Sequence, residues 1–235
     1  MKIEIISSVK DALGRDFSKE KVVVIDVLRA TSVMITAFLN GAKDIYPFKD
    51  IKDVKNAKEK HKTALLAGER KGIKIDSFDF GNSPLEFKKE KIENKEILMT
   101  TSNGTRAIES AISAKKLYIG GYLNISGIVE KLMETDEDII LLCSGTDNEF
   151  SLDDALCAGI ICKKLMEKEK EIKVNDFTLS LVKLSNLITS VYDTLKGSKH
   201  FEYLKKIGYE DDLKYCLSID LTKIVPEYID GKIRK

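Results

Sequence analysis

The chain has 235 residues and carries 39 Lys+Arg against 38 Asp+Glu, a net charge of +1. That length can bury one sizeable core, and the balanced charge argues against a nucleic-acid surface as its main business. No apolar run approaches the ~18 residues needed to span a bilayer, so no membrane partner is expected.

In chain order, MKIEIISS is charged and alternating, which reads as a strand and not a signal peptide. Strands are expected at Lys2–Ile6, Lys21–Val27, Asp44–Pro47, Thr63–Ala67, Glu96–Thr100, Lys116–Gly120 and Asp138–Cys143. Helices are expected between them, near Thr31–Asn40, Ile51–Lys60, Thr105–Ala114, Ile125–Thr135 and Leu152–Lys168. This alternation predicts a three-layer α/β/α fold with a largely parallel or mixed central sheet. From about residue 175 the chain turns mainly helical. Phe177, Leu181, Leu184, Ile188, Val191 and Leu195 recur at helical spacing, predicting one long amphipathic helix capped by Asn175 or Asp176. Shorter helices should follow through Tyr215, and a closing strand near Leu221–Val225 should stop at Pro226. With no repeat and no Gly/Pro-rich boundary, residues 1–235 are expected to form a single α/β domain.

Cys143, Cys157, Cys162 and Cys216 form no CxxC pair, so reduced thiols and a cytoplasmic location are the expectation. Cys143 ends an apolar run and reads as a buried thiol. The two histidines, His61 in KEKHK and His200 in GSKHFEY, have polar neighbours and read as surface residues. Any bound metal should therefore be held by oxygen, which suits Mg²⁺ or Mn²⁺.

Ligands of open α/β sheets bind beyond the carboxyl ends of the strands. Four such ends here carry acids, hydroxyls and arginines. They are Asp26-Val27-Leu28-Arg29-Ala30-Thr31-Ser32, Gly68-Glu69-Arg70-Lys71-Gly72, Thr101-Ser102-Asn103-Gly104-Thr105-Arg106 and Ser144-Gly145-Thr146-Asp147. Arginine is scarce, with only five in the chain, yet Arg29, Arg70 and Arg106 all sit at strand ends. A guanidinium fork grips phosphate or carboxylate bidentately, which a solubilising lysine does not. Acids beside a bound anion repel it unless a divalent cation intervenes, so Asp26 and Glu69 are candidate Mg²⁺ ligands. The competing reading pairs Asp26 with Arg29 or Arg70 in a buried salt bridge. Thr31 or Ser32 could equally cap the following helix, and Ser151 with Asp154 matches a capping box. Asp153 is harder to explain by capping. Gly81-Asn82-Ser83-Pro84 is a turn-rich run whose Asn82 and Ser83 can face a pocket.

Common phosphate motifs are absent. There is no Walker loop and no dinucleotide fingerprint. Six residues after Cys143, where the C-x5-R loop of a cysteine phosphatase has its arginine, stands Glu149. Leu28 stands where an aspartyl-phosphate phosphatase has its second acid.

Taken together, VIDVLRATS (Val24–Ser32), GERKG (Gly68–Gly72), FDFGNSPLE (Phe78–Glu86), TTSNGTRA (Thr100–Ala107) and CSGTDNEFSLDDALCAG (Cys143–Gly159) resemble the 2-phosphosulfolactate phosphatase family. The resemblance implies a Mg²⁺-dependent phosphatase of coenzyme M biosynthesis that hydrolyses 2-phospho-3-sulfolactate to 3-sulfolactate. Its substrate carries phosphate, carboxylate and sulfonate, so three arginines match three anions. The expected arrangement has Asp26 and Glu69 on the metal, with Arg29, Arg70 and Arg106 clamping the anions. Thr31, Ser32, Asn82, Ser83, Asn103, Gly104 and Thr105 would supply further substrate contacts. A base for the attacking water is open among Asp79, Asp147 and Asp153, and Asp26 could itself be the nucleophile. The alternatives are a phosphatase of another phosphorylated hydroxy acid, a Mg²⁺-dependent lyase and a non-catalytic anion-binding module. A homodimer is the symmetry-based expectation.

Overall fold

The computed structural model describes residues 1–235. Its first strands are β1 (Lys2–Ile6), β2 (Lys21–Ile25), β3 (Asp44–Pro47), β4 (Leu65–Arg70) and β5 (Ile73–Lys74). Then come β6 (Glu96–Thr100), β7 (Lys116–Gly120), β8 (Ile139–Cys143), β9 (Lys173–Val174), β10 (Glu227–Ile229) and β11 (Lys232–Arg234). Helices α1 (Val9–Ala12), α2 (Ala30–Leu39), α3 (Ile51–Lys60), α4 (Lys89–Ile92), α5 (Gly104–Ser110), α6 (Ile125–Leu132) and α7 (Leu152–Lys168) lie between strands. Helices α8 (Asp176–Ser185), α9 (Val191–Leu195), α10 (Lys199–Lys206) and α11 (Glu210–Cys216) precede the final hairpin.

The strands form one mixed sheet in the order β5-β4-β6-β3-β11-β10-β7-β2-β8-β1-β9. Two parallel blocks, β4-β6-β3 and β7-β2-β8-β1-β9, are joined by the antiparallel β10–β11 hairpin. The β-branched run of β2 explains its central place. It pairs with both β7 and β8 from Lys21 to Ile25, and no residue in it is exposed. Side chains alternate across a strand, so Val23 and Ile25 enter the core under α6, α7 and α8. Val22 and Val24 enter the opposite core under α2 and α5. The expected three-layer α/β/α architecture is what the chain adopts.

Several boundaries differ from expectation. The strand expected at Thr63–Ala67 runs instead from Leu65 to Arg70, because Lys71 and Gly72 turn it into β5 with left-handed φ of 51° and 72°. Glu69 and Arg70 are therefore strand residues. The long helix expected over Phe177–Leu195 breaks into α8 and α9. Asn175 Oδ1 caps the first by accepting Thr178 N–H at 2.8 Å. Ser190 Oγ starts the second by accepting Asp193 N–H at 3.2 Å, and Leu187 between them is exposed. The segment Leu221–Val225 is not a strand. Asn124 Nδ2 donates to Ile224 O at 2.9 Å, and the Lys223 backbone lies against Gly127, so the segment packs on α6. The strand pair follows Pro226, closed by Asp230-Gly231 with φ of 49° and 85°, the turn chemistry of a tight hairpin.

Candidate active site

A cavity of about 500 Å³ opens at the carboxyl ends of β2, β4 and β6, and α10 covers it. Its buried polar lining residues are Asp26, Arg29, Glu69 and Asn82. Ser102 and Asn103 line it from the β6–α5 turn, and Lys199, His200, Tyr203 and Lys206 from α10.

Asp26 leaves β2 at a loop that spends its own hydroxyls on holding shape. Thr31 Oγ1 accepts Asp26 N–H at 3.2 Å and donates to Asp26 O at 2.9 Å, while Ser32 Oγ donates to Val27 O at 2.8 Å. Thr31 and Ser32 thus fix the loop and are not in the cavity lining. Asp26 Oδ1 accepts Ala30 N–H at 3.3 Å. Burial pushes the Asp26 carboxyl up to about 6; His200 and the Ala30 N–H oppose the rise, and the charges of Asp153 and Glu69 add to it. A buried carboxylate facing other carboxylates is a place where a cation is stabilised.

Gly104 makes this crowding possible. A Cβ there would stand 2.5 Å from Ala30 Cβ and 2.8 Å from Asp26 Oδ2. The Gly104→Ala variant should lose roughly 1–3 kcal/mol of stability through overpacking and displace Asp26. Urea unfolding with a parallel assay of turnover checks both, and wild-type values in each would show that the contact is soft.

Glu69 is held by three donors. Its Oε1 accepts Ser102 N–H at 2.7 Å, and its Oε2 accepts Gly72 N–H at 2.8 Å and Ser102 Oγ–H at 3.1 Å. Asn82 lies nearby in the lining, 6% exposed, and its Oδ1 is buried without any hydrogen-bond partner. Buried polar atoms are nearly always satisfied, so an unpaired acceptor oxygen in a cavity that also holds two buried carboxylates calls for a cation or a donor from a ligand. No set of three or more His, Cys, Asp or Glu side chains is arranged to hold a metal. A cation here would rest on two carboxylates and amide oxygen, with water and ligand oxygens completing its shell, as Mg²⁺ prefers.

The arginines depart from expectation. Arg29 is 2% exposed and its Nη1 meets Asp212 Oδ2 at 2.5 Å, while Nη2 donates to Gly72 O at 2.8 Å. Its guanidinium carbon sits 3.8 Å from the Tyr209 ring centroid. Ser83 Oγ donates to Asp212 Oδ1 at 2.7 Å, so Ser83 supports this pair and does not face the cavity. The anion that Arg29 holds belongs to the chain itself. Arg70 donates to the carbonyls of Glu69 and Lys49 and to Thr100 Oγ1. Neither Arg70 nor the half-buried Arg106 lines the cavity. The cations that do so alongside Arg29 are Lys71, Lys199 and Lys206.

The candidate bases also separate. Asp79 Oδ2 accepts Leu66 N–H at 2.7 Å outside the cavity, in a structural role. Asp153 is buried, accepts Ser151 Oγ–H, and is likewise outside the lining. Asp147 lies on the exposed rim, 3.6 Å from Lys199 Nζ. Asn103 stays in the lining, and Thr105 turns its hydroxyl to the backbone of Thr101.

Besides the α10 lysines, Asp154 and His200 were missed by sequence reasoning. Asp154 is not half of a capping box, since Ser151 makes no cap bond. Instead its Oδ1 accepts Val27 N–H at 2.9 Å, and its Oδ2 accepts Gly145 N–H and Ser144 Oγ–H at 3.1 Å each. It ties the β2 and β8 loops together, and burial, with the charges of Asp153 and Asp26, pushes its carboxyl well up. His200 is not a surface residue. Its Nε2 lies 2.6 Å from Leu28 O in the cavity wall. A carbonyl only accepts, so Nε2 carries the proton and Nδ1 is the free ring nitrogen.

Paired carboxylates, an orphaned amide oxygen and a lysine rim at the strand ends define an α/β protein with a site for a small polyanion. The family profile described as 2-phosphosulpholactate phosphatase matches residues 8–231. A Clostridium novyi protein named "Probable 2-phosphosulfolactate phosphatase" is 40% identical over 236 residues, covering 100% of both chains. Proteins of the same name from Clostridium tetani and Clostridium beijerinckii are 40% and 37% identical, covering at least 99% of each chain. The chain belongs to the 2-phosphosulfolactate phosphatase family, and so to the phosphoric monoester hydrolases.

Proposed function

We propose that this chain hydrolyses 2-phospho-3-sulfolactate to 3-sulfolactate and inorganic phosphate, with Mg²⁺ held by Asp26, Glu69 and Asn82 Oδ1. The observation that carries the reading is the buried, unpaired Asn82 Oδ1 in the same lysine-rimmed cavity as two buried carboxylates. When bound, Mg²⁺ would supply charge neutralisation for the phosphoryl oxygens. The chain's own residues do the rest. Ser102 and Gly72 fix the Glu69 carboxylate, Thr31 and Asp154 fix the loop that carries Asp26, and α10 forms one wall of the cavity. Water attacks phosphorus, the bond between phosphorus and the oxygen on lactate C2 breaks, and the proton lost by the water passes to the departing alkoxide oxygen. His200, held as the Nε2–H tautomer by Leu28 O, offers Nδ1 for that proton traffic.

His200→Gln should lower kcat by roughly 10²–10⁴-fold and flatten the pH–rate profile, with thermal unfolding little changed. An unaltered profile would remove His200 from the proton path. The reading as a whole is tested by phosphate release from a panel of phosphorylated hydroxy acids, with Mg²⁺ or with EDTA. It requires release from phosphosulfolactate that EDTA abolishes; release confined to another phosphoester would move the assignment to that substrate. The family resemblance further supports a place in coenzyme M synthesis and a cytoplasmic setting. No helix is long and apolar enough to cross a membrane.

A further inference from the structure

Arg29 lines the cavity but is neutralised by Asp212, and the other two strand-end arginines lie outside it. A substrate with three anionic groups still needs cations beyond the floor. The lining itself holds them. Its acids are Asp26, Glu69, Asp147 and Glu202, and its cations are Arg29, Lys71, Lys199 and Lys206. Glu202 Oε1 accepts Gly197 N–H at 2.9 Å, and Asp147 faces Lys199. Lys199 is shared between Asp147 and Glu149 at 3.6 Å from each, both exposed. Lys71 and Lys206 form no ion pair.

Lys71 has a second peculiarity. It occupies the first central position of the β4–β5 hairpin turn at φ 51°, where asparagine, aspartate or glycine is the relaxed choice. Turn chemistry therefore does not account for a lysine there. The hairpin tip is also held firmly beneath α10. Tyr203 Oη donates to Lys71 O at 2.8 Å, and Ile207 and Tyr203 pack where Gly72 would carry a Cβ. The strained lysine on one element and the lysines of α10 thus share one rigid rim.

We propose that Lys71 and Lys206, assisted by Lys199, recognise the sulfonate of the substrate, so that phosphate lies on the Asp26–Glu69 floor while the sulfonate lies under α10. This rests on the phosphatase reading of the floor. It makes the lysine rim the specificity determinant, with the tail read by charge and not by a guanidinium fork. A sulfonate is a diffuse, weakly basic anion, for which a mobile ammonium suffices.

The test compares wild type with Lys71→Gln, Lys206→Gln and the double variant. Each is assayed on 2-phospho-3-sulfolactate and on 2-phospholactate, which keeps the phosphate and carboxylate but lacks the sulfonate. Calorimetric titration with 3-sulfolactate gives a readout independent of turnover. The double variant should raise KM for phosphosulfolactate roughly tenfold with kcat nearly unchanged, and should weaken 3-sulfolactate binding. KM for phospholactate should rise much less. Lys71→Arg and Lys206→Arg should restore most of the loss. Equal increases in KM for both substrates, or unchanged 3-sulfolactate affinity, would overturn the proposal. Absence of phosphate release from either substrate by wild type would strike the phosphatase reading instead, and the titration would still decide whether the lysines bind the sulfonated tail.

Discussion

Asp26→Asn is expected to cut turnover by roughly 10³-fold or more while leaving the fold intact, because it removes charge where a cation and a phosphoryl group must be balanced. Asparagine keeps the Oδ1 acceptor for Ala30 N–H, so the loop has no reason to move. Stability should change in the opposite sense. The carboxyl is raised from 3.8 to about 6 in the folded chain, so the folded state holds the proton more tightly than the unfolded one. That contribution is fully present below about pH 4 and is lost as pH rises through about 6. Metal-free wild type therefore carries a destabilised carboxylate at neutral pH, and Asp26→Asn should be more stable there by at most roughly 3 kcal/mol. The advantage should shrink as pH falls from 7 to 4. Adding Mg²⁺ should raise the Tm of wild type and leave the variant unmoved. Full turnover in Asp26→Asn would return this residue to a structural role.

Arg29→Met is expected to cost roughly 3–5 kcal/mol, because it strands the Asp212 carboxylate in the interior. The same change strips Tyr209 of its stacked guanidinium and frees Gly72 O. Arg29→Lys should recover little, since a single ammonium cannot reach Asp212 and Gly72 O with the same fork. Adding Asp212→Asn to Arg29→Met should restore part of the lost stability by removing the stranded charge. Urea unfolding of the three variants measures this. A loss below about 1 kcal/mol accompanied by a raised KM would instead give Arg29 the substrate contact expected from its position at a strand end.

These two residues mark where the sequence was readable and where it was not. Asp26, Glu69 and Asn103 lie at or just beyond the ends of apolar strands, and local alternation suffices to bring them to one edge of the sheet, while Asn82 was read from the turn-rich run before Pro84. The three-layer architecture was legible for the same reason, since VVVI can only be buried on both faces. Arg29 was misjudged because its partner Asp212 lies 183 residues downstream, and no local pattern announces that contact. Lys199, His200 and Lys206 were hidden likewise, since in sequence they form an ordinary charged helix and only its docking over the strand ends gives them a site. Asp154 fitted a capping box well enough to conceal its bonds to Val27 and Gly145. The β10–β11 hairpin did carry a readable sign, Asp230-Gly231, but a three-residue strand is too short for alternation to show.

That hairpin governs the order in which the molecule can be completed. It meets β7 through one registered pair, Glu227 with Tyr118, and β3 through another, Ile233 with Ile45. Asp44 reinforces the second contact through Lys232 at 2.9 Å and Arg234 at 3.3 Å. Asp26 belongs to the block beside β7, whereas Glu69 and Ser102 belong to the block beside β3. During synthesis both inner edges stay unpaired until residues 227–234 emerge, and open edges invite wrong partners. A nascent chain therefore already contains both carboxylates before the hairpin that joins their two blocks into one sheet has been made.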